Sequence, residues 1–296
     1  MTYTFHNNHF LDTFSVEKSI ISGHFGTIFH VKNVHENTDY MVQRVAVMNN
    51  IPSKLEVSNL VEKYSKINDE LVICFQKAWW ETPDFREMIE ESQIHSSSVK
   101  EDLDDTAESK NSGPVLHLYL LTEHFSSQTL ADYLQMTSTS SEFQNTSSSL
   151  FVTDLLNALE YIHEKGVIHR NIRPESVFVK AAGVGPNWSR LKIGNFGFRN
   201  MVPDHSLSPY LAPELVPGAQ FTQSSDYFAL GLVGLEIISL GMRGIDKEVI
   251  FEKRRRGDEL EGILNPEERI HNLILIMTDL EPENRKKAVD WINGSE

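Results

Sequence analysis

The chain has 296 residues, 40% of them hydrophobic and 23% charged, with a formal net charge of −15. That length exceeds the needs of one small core and suits two lobes, while the acidic balance argues against nucleic acid or a membrane surface as the general partner. Cys74 is the single cysteine, which excludes an internal disulfide and leads us to expect a reducing, cytoplasmic compartment.

The opening residues, Met1 to Asp12, carry neither a basic nor an apolar signal region, so a secretory leader is not expected. His6 and His9 lie in this polar stretch and read as solvated side chains, not metal ligands. Strands are predicted at Ile20-Ile21, Ile28 to Val31 and Tyr40 to Val47, split by Gly23, Gly26 and the polar run His35 to Asp39. A helix follows over about Ser53 to Ile67. Strands at Leu71 to Trp80 and Val115 to Glu123 flank an acidic, Ser-rich insert, Glu81 to Pro114, whose composition predicts disorder. Thr137 to Ser149 holds nine Ser or Thr in thirteen residues and reads as a surface loop, with phosphorylation as the alternative.

Phe151, Leu155, Leu159 and Ile162 recur at helical spacing, with Ser149 as the predicted N-cap and Gly166 as the stop. Short strands are expected at Val177 to Val179 and Leu191 to Ile193. Asp226 to Leu240 is apolar nearly all round and predicts a buried helix. Its apolar run is too short to span a membrane and contains Glu236. The expected class is α+β, with a small β-rich lobe over residues 10–125, a larger helical lobe over 126–296, and a cleft between them.

Ordered motifs sharpen this picture. His169-Arg170-Asn171-Ile172-Arg173-Pro174-Glu175-Ser176, Asn195-Phe196-Gly197, Ala212-Pro213-Glu214 and Ser225 to Gly231 resemble, in order and spacing, the catalytic loop, the DFG and APE motifs and the anchoring helix of protein kinases. Ile21 to Gly26 resembles the glycine loop, and Tyr40 to Gln43 stands where the VAIK strand would. Lys192-Ile193-Gly194, Leu118-Tyr119, Thr129 to Asp132 and Tyr161 to His169 are similar to the kinases of translation initiation factor 2 alpha, in particular the amino-acid-starvation type. The resemblance implies a two-lobed protein-kinase fold. It places Gly23, Gly26, Met41, Gln43, Thr122, Glu123 and Phe125 at nucleotide-contacting positions. His169, Arg170, Phe196, Glu214, Asp226 and Arg285 fall at structural ones, with Glu214 and Arg285 as a buried ion pair.

Measured against that family, the charged chemistry is missing. Phosphoryl transfer depends on positioning and on neutralising charge. Gln43 replaces the phosphate-binding lysine, Arg44 should face the other side of the strand, and no lysine occurs between Ile20 and Val31. The helix glutamate that pairs with that lysine aligns near Leu60, with Glu56 and Glu62 close by. Asn171 stands for the catalytic aspartate, and a positioned base contributes roughly 10²- to 10⁴-fold in rate. Arg173 replaces the catalytic-loop lysine. Ser176 and Asn195 replace the metal-binding asparagine and aspartate, although Mg²⁺ selects anionic oxygens. Ile21 replaces the first loop glycine, and Met41 the small residue above the adenine. Asn195 to Glu214 spans twenty residues without a threonine; Leu207 takes the usual threonine position, leaving Ser206 and Ser208 as the only hydroxyl acceptors besides Tyr210.

Two functions are compatible with this pattern. The first is a catalytically silent binding module that engages initiation factor 2 alpha or an active kinase relative, as a homo- or heterodimer, with no cofactor or with ATP held without Mg²⁺. The second is a weak or atypical Ser/Thr kinase. By resemblance, Gly241 to Arg256 covers the substrate-gripping helix, where Arg254-Arg255-Arg256 is either a solvated face or a docking patch.

Overall fold

The computed structural model describes residues 5–6, 9–23, 26–48, 51–83, 115–137, 146–180, 190–197, 208–216, 218–239, 246–260, 262–265 and 268–292. Expectations for His24 and Phe25, for the insert beyond Pro83, for 138–145, for 198–207 and for 240–245 lie outside the described residues. The chain is α+β and divides into two units, the first holding residues up to Lys66 and from Cys74 to His124. The second takes up the chain from Phe125 and also claims Ile67–Ile73, which the sequence reading had assigned to the small lobe.

The first unit is built on a six-stranded sheet in the order β1-β5-β6-β4-β3-β2. Its strands are β1 (Phe5–His6), β2 (Phe14–Gly23), β3 (Gly26–Asn33), β4 (Asp39–Met48), β5 (Phe75–Glu81) and β6 (Val115–Glu123). All neighbours are antiparallel except β1, which adds parallel to the β5 edge. Alternation in β4 sends Tyr40, Val42 and Arg44 to one face and Met41, Gln43 and Val45 to the other. The first of these faces is closed by the short helix α1 (His9–Thr13), which lowers Phe10 onto an aromatic cluster with Phe14, Trp79 and Tyr119. Trp79 and Tyr119 stack at 5.3 Å, and Phe10 lies 4.9 Å from Tyr119. The Glu81 carboxylate is buried beneath them, accepting from the Phe10 amide at 2.8 Å and from Trp79 Nε1 at 2.6 Å. Glu81 is thus the end of a strand and an anchor for α1, a correction to its expected place at the head of a disordered insert. Helix α2 (Ile51–Tyr64) turns Val57, Val61 and Tyr64 inward at helical spacing.

The predicted strand from Leu71 is cut short. Leu71–Ile73 does not join the large sheet; the Ile73 amide donates to Ile193 at 2.9 Å, and the Ile193 amide donates to Leu71 at 2.8 Å. The backbone groups of this stretch are satisfied within the second unit, which fixes its membership there.

The second unit contains α3 (Leu130–Thr137), α4 (Thr146–Glu164), a 3-10 turn Pro174–Ser176, the hairpin pair β7 (Val177–Lys180) and β8 (Arg190–Ile193), α5 (Gln223–Ser239), α6 (Lys247–Arg256), α7 (Arg269–Met277), a 3-10 turn Pro282–Lys286 and α8 (Lys287–Ile292). Helix α4 starts earlier than its expected cap; Ser149 lies inside it, with its carbonyl accepting from Thr153 Oγ1 at 2.8 Å. Gly166 ends the helix in the left-handed region, φ 71°, with its amide on the His163 carbonyl. Helix α5 is buried from Ser225 to Leu235. Thr222 and Ser225 cap its start reciprocally, each side-chain oxygen accepting the other's amide at about 3 Å. Gly231 lets α7 approach closely: a Cβ there would meet Thr278 Cγ2 at 2.5 Å.

Candidate functional site

The site in the second unit is assembled around one carboxylate. Asp226, in the first turn of α5 and 2% exposed, accepts from the amides of His169 at 2.7 Å and Arg170 at 2.9 Å, and from His163 Nε2 at 2.9 Å. Two backbone amides from a loop 56 and 57 residues away are thereby pinned to a buried helix. The loop needs that anchor, because Arg170 is held in the left-handed region at φ 66°.

His169 is fully buried and extends the network from its ring. Its Nε2 bonds the Gly194 carbonyl at 2.9 Å while Nδ1 accepts the Asn171 amide at 3.3 Å. Both bonds require the neutral ring with its proton on Nε2. Burial pushes its pKa down to about 4, against the smaller opposing pull of the Asp226 charge. Phe196 packs against this ring at 4.4 Å, and the Gly197 amide donates to the His169 carbonyl at 3.0 Å.

Within this frame stand the residues that the motif resemblance aligns with catalytic and metal positions. Asn171 is 3% exposed; its Nδ2 donates to the Asn195 carbonyl at 2.8 Å, and its Oδ1 is buried without a partner among the described residues. Asn195 is 8% exposed, has φ 56°, and directs Nδ2 at Ser176 Oγ, 3.4 Å away. Ser176 is fully buried and its carbonyl accepts the Gly194 amide at 2.9 Å. Arg173 turns its Nε to Glu175 Oε2 at 2.8 Å. Burial acts to raise the Glu175 carboxyl, but the bond and charge of Arg173 outweigh it and hold that group below its ordinary value. The structure therefore brings Asn171, Ser176, Asn195, His169, Arg170, Phe196 and Asp226 together. Among the described residues no group of three or more His, Cys, Asp or Glu is placed to hold a metal.

Glu214 and Arg285 lie elsewhere in the same unit. Arg285, with no exposed surface, forms a two-pronged pair with Glu214 at 2.6 and 2.9 Å. It also donates to the carbonyls of Asp279, Ser224 and Leu280, and lies over the Phe228 ring at 4.8 Å.

The expected nucleotide-contacting residues fall in the first unit, apart from Phe125 in the second. Gly23 and Gly26 are cross-strand partners at the end of β2 and the start of β3. Gly26 has φ 102°, and a Cβ on it would sit 2.3 Å from the Arg44 carbonyl, so glycine is required there. Met41 and Thr122 are cross-strand partners, and Thr122 Oγ1 donates to the Met41 carbonyl at 3.4 Å. Gln43 is buried between Ile28 and Leu120 in the register, while Arg44 occupies the opposite face with its guanidinium 5.4 Å from the Phe29 ring. Glu123 accepts the Cys74 amide at 2.8 Å. Phe125 lies under Lys192 Nζ at 5.5 Å. Of the carboxylates near Leu60 on α2, Glu62 is exposed and bonded to Lys66 at 3.0 Å, whereas Glu56 is half-buried.

Two expectations are corrected here. The arginine run on α6 is not a uniform solvated face: Arg254 is buried on Thr278, Arg255 is half-buried on the carbonyls of Pro209 and Leu211, and only Arg256 is exposed, paired with Glu252. Ser208, considered as a modification site, is only 5% exposed. Sequence reasoning also missed His163 and Glu175, whose partners are visible only in three dimensions for the first and through a two-residue ion pair for the second.

Comparison with known proteins agrees with the motifs. The protein kinase domain matches residues 14–288. The chain is 26% identical over 224 residues to eukaryotic translation initiation factor 2-alpha kinase pek-1 of Caenorhabditis elegans, covering 68% of this chain and 21% of that protein. It is 25% identical over 289 residues to the interferon-induced, double-stranded RNA-activated protein kinase of Mus musculus, covering 93% and 50%. Serine/threonine-protein kinase ULK1 of Homo sapiens is 31% identical over 126 residues, covering 39% and 12%. The chain spans about half the length, or less, of these relatives. It belongs to the protein kinase family, and its similarity within that family extends to kinases of initiation factor 2 alpha.

Proposed function

We propose that this chain is a pseudokinase, a catalytically silent protein kinase that binds and regulates a protein partner, either initiation factor 2 alpha or an active kinase relative. The observation that carries the proposal is Asn171. At the base position stands an amide whose nitrogen donates to the Asn195 carbonyl at 2.8 Å, and an amide has no basicity at neutral pH. The neighbouring metal positions support it. A hydroxyl and an amide, with a donor N–H turned toward the hydroxyl, bring no carboxylate to Mg²⁺, which is bound through one or two carboxylates together with phosphate oxygens. Gln43 brings no cation to the phosphates, and Arg173 has its Nε on Glu175. No cofactor is needed for the proposed role; ATP, where bound, is held without Mg²⁺. The partner assignment rests on the relatives, since pek-1 is by name a kinase of initiation factor 2 alpha. A cytoplasmic location follows from that partner, and no helix among the described residues is long and apolar enough to cross a membrane.

The test is phosphoryl transfer from labelled ATP, with and without initiation factor 2 alpha as acceptor. We expect no incorporation above a blank and no thermal stabilisation by ATP that requires Mg²⁺. Incorporation that disappears in Asn171→Ala would overturn the reading. Capture of purified initiation factor 2 alpha or of an active relative tests the partner.

A further inference from the structure

The mutual hydrogen bonding of the neutral residues at the base and metal positions has a consequence of its own. Arg170 and Asn195 are two of the three non-glycine residues with positive φ among the described residues, at 66° and 56°. That region is unfavourable for a side chain such as arginine and only mildly so for asparagine, and such a conformation persists where its surroundings hold it. Arg170 is held by Asp226 through its amide. The segment around Asn195 is held by His169 Nε2 on the Gly194 carbonyl, by the Gly194 amide on Ser176, and by Asn171 Nδ2 on the Asn195 carbonyl itself. The last of these bonds reaches Asn195 directly at its backbone, while the Asn195 side chain reaches Ser176 Oγ.

We propose that Asn171 is a positioning residue: its amide staples the Asn195 carbonyl, and the Asn195 amide passes the connection to Ser176, so that the Asn195–Gly197 segment is fixed by neutral hydrogen bonds with no metal or nucleotide. The direction of the bond is what gives the staple its specificity. The Asn195 carbonyl accepts, so the residue at 171 must donate, and a carboxylate cannot. An aspartate at 171 would set two oxygens against each other across 2.8 Å in a buried site, which is unfavourable in low dielectric. The site has therefore been rebuilt around the amide, and restoring the acidic residue alone breaks it. Asn195 suits the other end of the staple, because asparagine tolerates the left-handed region better than most side chains.

The test reads backbone hydrogen exchange in the intact chain, at Gly194 and Gly197, with the amides of α5 as an internal control for global stability. Asn171→Leu keeps the number and branching of side-chain heavy atoms and removes the donor; Asn171→Asp removes the donor and adds the clash. We expect protection at Gly197 to fall at least tenfold in Asn171→Leu and further in Asn171→Asp, with α5 unchanged in the leucine variant. If the aspartate variant does not fold, the leucine variant decides. Wild-type protection at Gly197 in Asn171→Leu, or an equal loss across α5, overturns the staple. Neither readout involves phosphoryl transfer, so the outcome is separate from that of the activity test above.

Discussion

Replacing Arg285 by methionine tests how the second unit is held together. Methionine is apolar and can occupy much of the same space, so the change removes chiefly hydrogen bonds and charge. Arg285 makes two bonds to Glu214 and three to the carbonyls of Asp279, Ser224 and Leu280, with no exposed surface of its own. Breaking a buried ion pair by deleting one partner costs about 3–5 kcal/mol. Glu214 is 31% exposed, so its carboxylate recovers part of its hydration and the lower end of that range applies. Asp279 and Ser224 are half-buried, so their carbonyls lose on the order of 1 kcal/mol each where water cannot replace the donor, whereas Leu280 is exposed and water can serve its carbonyl. A loss of about 5 kcal/mol follows, which for a unit of this size lowers Tm by about 10–20 °C. Urea unfolding of wild type, Arg285→Met, Glu214→Gln and the double variant measures both the loss and the coupling between the two side chains. Glu214→Gln keeps a hydrogen-bond acceptor and should cost less than Arg285→Met. A loss below about 1 kcal/mol for Arg285→Met, or a coupling indistinguishable from zero, would refute the assignment of this pair as a structural anchor.

The buried His169 predicts acid sensitivity. Its folded pKa of about 4 lies below the ordinary 6.5, so the unfolded chain binds more protons between those values; its contribution is intact above pH 6.5 and lost as pH falls to 4, by about 3 kcal/mol at most. The slope of unfolding free energy against pH should be shallower in that window for His169→Gln, which cannot titrate. On α6, Arg254→Ala should cost about 1–3 kcal/mol by orphaning Thr278, whereas Arg256→Ala, exposed and paired among the described residues with Glu252, should stay within about 0.5 kcal/mol. Thermal melts of the two variants side by side separate them.

Which features were legible in the sequence follows from how far apart their causes lie. The helix α5 could be read from its own residues, because a segment apolar on all sides can only be buried. The central strands were legible for the same local reason, through alternation. The start of β5 was not: Leu71–Ile73 has the composition of a strand and does make strand-like bonds, but to Ile193, over a hundred residues away. Glu81 likewise carries no sign, in an acidic stretch, that its carboxylate will cap α1 beneath Trp79. The arginine run shows the limit most clearly. Three identical side chains in succession on a helix point about 100° apart, so one is buried, one grazes a neighbouring loop, and one meets solvent.

The same distinction explains which motif residues could be interpreted before any geometry was known. Asp226, His169 and Arg285 each satisfy several buried backbone groups, and exchanging any of them would leave carbonyls or amides without partners. A fold can lose such a residue only together with its partners. The positions held by Asn171, Ser176 and Asn195 are constrained differently. Phosphoryl transfer asks for carboxylates at 171 and 195 and a metal-binding oxygen at 176, but structure demands only that each polar group find a partner, and neutral side chains can do that among themselves. Identity alone shows that the charge is gone. It cannot show that the amide of Asn171 donates toward the Asn195 carbonyl, and that direction is what the proposed staple rests on.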